Sequence, residues 1–477
     1  MRSFLLAAGF SIAVLVPSVA FSATITVGPN GMFQAPCQAF NDPSLVDGDT
    51  IEIDSAGQYP AESCALEKNN ITVMGVGAGR AKIDISGGSL AQPGNAIWMI
   101  NGANAVLKQL EFSNAKAAAS NGSALVVNGS SININDCYFH DNDFGVRIAK
   151  NAASDVLIEF SEFGYNGSPL PGHNIEVGEI AKFTLNYSYS HHAIEGDLLS
   201  SRALVNHIFY NRLTDESDGA SRYELALPAG GTSYVIGNLF HKGNATALPN
   251  NRIIGYADGT GMLHKALTLF VINNTFVSEK SPATLFINAA SPPDTPPVIR
   301  NNIFVGKGSA CNVGAAVEMN NLITEDAAMP LFADAANYNY RLLEGSPAID
   351  KGEAAGMDPV AMFDLTPLRQ YVHPLTGEDR PTNGVLDQGA YEFPPPSQGT
   401  GGAGGGGQGG SSSGTGGSGG NAGGASSSSS GGAEPGDEGG CGCRTQSTSG
   451  TQSGTALAVL GMALLFFTRR RRMGIPE

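Results

Sequence analysis

Val235-Ile236-Gly237-Asn238-Leu239-Phe240, Val271-Ile272-Asn273-Asn274-Thr275-Phe276 and Ile299-Arg300-Asn301-Asn302-Ile303-Phe304 are three copies of one phrase. A short β-branched strand runs into a polar, asparagine-containing pair, then an aromatic residue and a turn. Earlier copies lie at 106–112, 132–139 and 156–163, so the phrase recurs through residues 70–325. Alternate residues of each strand are apolar, the period of a strand with one buried face. Asparagine tolerates left-handed backbone angles and bonds its own neighbours, which suits it to the turn. Aromatic positions return at intervals expected of a solenoid repeat. Parallel stacking of such turns puts equivalent residues above one another, so the asparagines can form a side-chain ladder. The pattern predicts an all-β chain: a right-handed parallel β-helix, a single-stranded solenoid, over residues 24–330. The main rival, a β-sandwich, would show hairpin turns and a weaker fixed period.

Composition agrees with many short strands and tight turns. The chain has 477 residues, 63 of them glycine, and only 15% charged residues, against roughly 25% in an average soluble protein. The net charge is −16. Such a surface repels phosphate backbones, which argues against nucleic acid as a partner. It also gives no long-range attraction for polyanionic sugars, so an acidic glycan would need a local basic cleft or a bound cation.

The two ends carry their own signals. Arg2, an apolar run from Phe4 to Val16 and the small residues Ser18 and Ala20 have the layout of a signal peptide over residues 1–20. Cleavage after Ala23 is a weaker alternative. Residues 394–440 are mostly Gly and Ser and read as a flexible linker. Cys441 and Cys443 follow, then an apolar run from Ala456 to Phe467, then arginines at 469 through 472. With its flanking threonines, Thr455 to Thr468, the run spans about 21 Å, short for a ~30 Å hydrocarbon core. The arginine block marks a cytoplasmic side, so residues 441–472 read as a membrane anchor with the body outside. Export makes Cys37 and Cys64 plausible disulfide partners. Cys137 and Cys311, set in strand-like sequence, read as buried small hydrophobes.

On these phrases the body resembles the pectate-lyase-like right-handed β-helix superfamily, over roughly residues 24–393. Tyr340-Arg341-Leu342, Ser346-Pro347-Ala348-Ile349-Asp350-Lys351-Gly352 and Asp387-Gln388-Gly389-Ala390-Tyr391-Glu392 resemble a choice-of-anchor module found on such proteins. Residues 331–393 are therefore expected to cap the open end of the solenoid. The tail resembles the MYXO-CTERM sorting signal. That likeness implies a sorting protease acting near Cys441 and Cys443 and display at the cell surface; an ordinary C-terminal anchor would leave the same exported topology.

Aligning a second strand of each turn yields an outward column Val126, Arg147, Glu176, Leu199, Glu224, Ile254. Beside it runs Ala124, Gly145, Asn174, Asp197, Arg222, Arg252. Acids, an amide and guanidiniums would then converge on one exposed strip, a surface on which a long polysaccharide could lie. A lyase removes the proton beside a uronate carboxylate, so it needs a base and a cation for that carboxylate. Arg202, Arg222 and His173 are the candidates for proton transfer or carboxylate binding. Arg147, Glu224 and Arg252 are the candidates for holding substrate. Asn174, Glu176 and Asp197 could supply oxygen ligands to Ca²⁺. The competing reading is that opposite charges on a solvated face simply pair, at ~1 kcal/mol or less each. The stretch from Tyr189 to Ala203 resembles the central block of the superfamily. Relatives commonly carry His at the place of Asp197 and Lys at that of Ser200, while Arg202 is kept. The expected function is binding, with eliminative cleavage, of an extracellular uronic-acid polymer; the alternative is a non-catalytic adhesin, matrix or glycan-binding protein. His191 and His192 are adjacent on a strand, which sends them to opposite faces and argues against a shared metal.

Overall fold

The computed structural model describes residues 22–394 except 93, 169–171, 245–249, 260, 282, 290–294 and 383. Three parallel sheets, of twelve, ten and ten strands, form the body. Each turn of the coil passes through sheet A (Thr24–Val27 to Val317–Met319), sheet C (Ala81–Asp84 to Leu322–Thr324) and sheet B (Cys64–Leu66 to Gly308–Cys311). This is the right-handed parallel β-helix expected from the repeat. The expected signal peptide, most of the expected linker, Cys441, Cys443 and the apolar tail lie outside the described residues. Among the described residues no helix is long and apolar enough to cross a membrane.

The corner between sheets A and C explains the repeated phrase. Its first residue turns the chain in the left-handed region: Asn273 and Asn301 have φ of 52° and 57°. The second residue points inward. There Asn211, Asn238, Asn274, Asn302 and Asn321 form a ladder, each donating its amide to the next at 3.0–3.1 Å. The asparagine pair thus divides its labour between backbone geometry and side-chain bonding. Towards the N-terminus Ser161 and Ser188 occupy the same inward place. The next inward residue is the aromatic one. Phe112, Phe139 and Phe163 stack at 5.1 and 5.2 Å between centroids, and Phe240, Phe276 and Phe304 at 4.7 and 4.8 Å. At the N-terminal end a short helix, Pro36–Phe40, covers the first turn. Cys37 is disulfide-bonded to Cys64, with Cα atoms 5.5 Å apart. Cys137 is buried; Cys311 is only partly so.

The module at 331–393 lies along the flank of the solenoid, where a position across its open end was expected. Phe363 packs on Tyr234 of sheet A at 4.4 Å, and Asp358 accepts the Tyr234 hydroxyl proton at 2.6 Å. The Ala390 amide donates to Thr275 on sheet C. Asn273 and Asn301, at the corner itself, donate to the carbonyls of Asp387 and Glu353. The reason is in the strands. Thr232–Ile236 and Thr268–Ile272 are apolar on both faces, so their outward Tyr234, Ile236, Phe270 and Ile272 need cover. At the last turn the inward column ends on Ile323, which is 49% exposed.

Candidate functional site on sheet B

The outer face of sheet B carries the predicted strip, with a different membership. Strand pairing aligns Val126, Arg147, Glu176, Ser200, Ala226, Gly255 and Asn288. The sequence alignment is right through Glu176 and then slips. Leu199 and Ile254 are buried, and Ser200 and Gly255 stand in their outward places, because a one-residue slip exchanges the two faces of a strand. Glu224 precedes its strand, Leu225–Leu227, and its side chain is fully buried.

A cavity of about 370 Å³ opens on this face, lined by Arg147, Glu176, Ser200 and Arg202 among others. Arg147 donates from Nε to Glu176 at 2.8 Å and lies over the Phe144 ring at 4.5 Å. Both charged side chains remain about one-third exposed. The Arg202 carbonyl accepts from His264 Nε2 at 2.8 Å. At the rim Glu179 is held below the usual carboxylate range, first by its bond to Lys150, with the Arg202 charge contributing. Further along the sheet small Ala226 and Gly255 leave room for a polar cover. Tyr223 donates to Asp258 at 2.8 Å, and Arg252 donates to the Tyr223 hydroxyl at 3.3 Å.

The remaining candidates sit in the loops between sheets C and B, behind this face. Asn174 is fully buried. Its amide donates to Ser190 Oγ at 3.0 Å and to the His191 carbonyl at 2.8 Å, and its oxygen accepts from Asn166. Asp197 is also fully buried, and Arg222 grips both its oxygens, at 2.9 and 2.7 Å. That bond raises the Arg222 guanidinium above its ordinary value. His173 Nδ1 lies 3.0 Å from the Asp197 backbone N–H. Asn174, Glu176 and Asp197 therefore share no pocket of free oxygens and do not fit a Ca²⁺ shell. Among the described residues no group of three His, Cys, Asp or Glu side chains is arranged to hold a metal.

The sequence reading missed the partner of Glu224. Lys242 is fully buried and donates to Glu224 at 3.0 Å, to the Ser221 carbonyl at 3.0 Å and to the Arg222 carbonyl at 3.2 Å. Burial pushes the Glu224 carboxyl up to about 8, with Lys242 pulling the other way. Burial likewise raises Asp215, which accepts the Ser221 amide proton. This cluster fixes the loop that delivers Arg222 to Asp197. A signal was present: Lys242 stands two residues after inward-facing Phe240, at an inward position of Leu239–Lys242.

The fold and the face together define a right-handed parallel β-helix protein with a cavity lined by two arginines and a glutamate on one sheet. Its structural likeness includes the pectate lyase Pel9A, at 16% identity and a TM-score of 0.53, covering 79% of this chain and 97% of that one. A pectin methylesterase from Aspergillus niger is also similar, at 13% identity over 65% of this chain and 88% of that one, with a TM-score of 0.25. No family model and no curated protein sequence matches the chain.

Proposed function

We propose that this is an exported β-helix protein that binds an acidic extracellular polysaccharide in the sheet B groove. The observation that carries the reading is the pair of guanidiniums, Arg147 and Arg202, lining one cavity on an otherwise acidic molecule. Guanidinium forks match carboxylates in shape and charge, so uronate units suit the groove. The likeness to a pectate lyase supports a pectin-like chain as the ligand class. Eliminative cleavage is the second reading, favoured by Arg202 lining the groove and opposed by Ser200 standing where relatives carry Lys. In that reading Arg202 holds the uronate carboxylate or takes the proton, while Arg222, committed to Asp197, and His173 act only as supports. The alternative, a non-catalytic surface protein, shares the groove and lacks the bond cleavage.

Titration of purified protein with oligogalacturonate, alginate and glycosaminoglycan oligomers tests this. Arg202→Ala should weaken binding about 10- to 100-fold, the worth of a charge-assisted pair. Binding untouched by that substitution would remove the groove from the argument. An ultraviolet-absorbing unsaturated uronide from the wild type, absent with Arg202→Ala, selects the lyase; tight binding without it selects the binding protein.

The surface location is part of the proposal, supported by the charge layout of the two ends. External protease on intact cells should release a folded fragment ending near Pro396, because a Gly/Ser tract offers unprotected backbone while stacked strands do not. Protection until lysis would replace the surface with an internal compartment.

A further inference from the structure

The outer face of sheet C is chemically unlike the sheet B groove. Strand pairing aligns Glu111, Tyr138, Glu162, Tyr189 and Arg212 in one column. His140, Gly164 and His191 form the next. Imidazoles lie flat against phenols: Tyr138 on His140 and Tyr189 on His191, each at 4.2 Å, and Tyr165 on His192 at 4.7 Å. Gly164 makes this possible, since a Cβ there would sit 2.3 Å from the His191 ring. Tyr165 and His192 are turn residues with φ of 57° and 46°, which raises both rings at the margin of the sheet. Tyr165 is 44% exposed. The face runs between two hollows. One, of about 450 Å³, lies beside Arg80, Glu111 and Asp136. The other, of about 300 Å³, lies where Tyr338 and Tyr391 of the C-terminal module meet Arg212.

Each acid on this face named below has a basic partner within the chain, three of them a lysine or arginine and two a histidine. Glu111 meets Lys82 at 3.1 Å and Asp136 meets Arg80 at 2.9 Å. Glu162 meets His191 at 3.4 Å, Asp218 meets His192 at 3.0 Å, and Glu216 meets Arg212 at 2.7 Å. A uronate would add a carboxylate to a row of carboxylates, and a cationic sugar would have to displace Lys82, Arg80 and Arg212 from Glu111, Asp136 and Glu216. Hydroxyl groups suffer neither penalty: each acid–base pair offers an acceptor beside a donor, and a phenol ring offers an apolar face to sugar C–H groups.

We propose that the outer face of sheet C is a second saccharide-binding surface, taking a neutral, hydroxyl-rich glycan chain along half-buried Tyr138 and exposed Tyr165, with Tyr189 buried under Arg212 as their support. It is separate from the acidic-glycan groove on sheet B and does not depend on it. A protein with both faces could bridge two unlike polymers.

Calorimetric titration of the full chain with cellohexaose, mannohexaose and β-1,4-galactohexaose is the test. At least one should bind. Tyr165→Asn, chosen because asparagine accepts the left-handed backbone, should weaken that binding about tenfold, while Tyr165→Phe retains it. Arg202→Ala should leave it unchanged. Failure of all three hexasaccharides to bind the wild type, or equal binding by Tyr165→Asn, overturns the proposal. A hexagalacturonate titration of the same samples separates the two surfaces: loss there alone removes the sheet B reading and leaves this one standing.

Discussion

Lys242→Ala should destabilise the fold by about 3–5 kcal/mol at pH 9 and by distinctly less at pH 6. The size follows from burial. Lys242 and Glu224 are both fully buried, and removing one partner strands the other's charge in a medium that solvates it poorly. The pH dependence follows from what Glu224 can do instead. Its carboxyl, already raised to about 8 by burial, rises further without the ammonium beside it. At pH 6 it takes a proton and the stranded charge disappears; at pH 9 keeping the proton costs free energy. The sign is set by linkage. A carboxyl whose folded pKa exceeds its unfolded value binds the proton more tightly when folded. Its contribution is fully present below the unfolded value of 4.5 and is lost as pH rises through about 8. Denaturant melts of wild type and variant at both pH values give the comparison. An equal cost at both would mean that Glu224 stays ionised without Lys242. The double variant Lys242→Met, Glu224→Leu should recover most of the loss, since an apolar pair of similar volume fits such a site. Lys242 also holds the carbonyls of Ser221 and Arg222, so the single variant should loosen Arg222 from Asp197 and disturb the loops behind the groove.

The repeat was legible because one residue type serves one geometric need at each turn. Asn273 and Asn274 show it: one accepts a left-handed backbone, the other satisfies buried amides, and the sequence displays both side by side. The inward Phe column was legible for the same reason. The groove was legible only where strands are regular. Arg147 and Glu176 sit in strands of ordinary length, and their alignment holds. Ser200–Ser201 is a strand of two residues, too short for a period of two to fix its phase, and there Leu199 was assigned to the wrong face. Loops carry no period at all, which is why Asn174 and Asp197 looked exposed while their side chains bond inside the molecule. The flank position of the C-terminal module was written in Tyr234 and Phe270, outward aromatics on strands that are apolar on both faces. A solvated flank would not carry them.

Asn274→Ala should cost about 3–5 kcal/mol, while Asn321→Ala, the same change at the last rung, should cost about 1 kcal/mol or less. The Asn274 oxygen accepts from the backbone and side-chain amides of Asn238, at 2.9 and 3.0 Å, and its amide donates to the Val235 carbonyl at 2.8 Å. All of these groups lie in the fully buried corner, so truncation leaves several polar atoms without partners and without water. Each such orphan costs about 1–3 kcal/mol. Asn321 is partly exposed, and solvent can replace what its side chain gives to Asn302 and to the Ile299 carbonyl. A difference in cooperativity should accompany the difference in energy. A solenoid is held together by contacts between neighbouring turns, so a weak joint in the middle divides the array while one at the end only frays it. Hydrogen exchange should therefore show Asn274→Ala opening the turns on one side of residue 274 separately from those on the other, with Asn321→Ala affecting the terminal strands alone. Equal stability losses for the two variants, or uniform exchange along the whole coil, would mean that the ladder is not what couples successive turns.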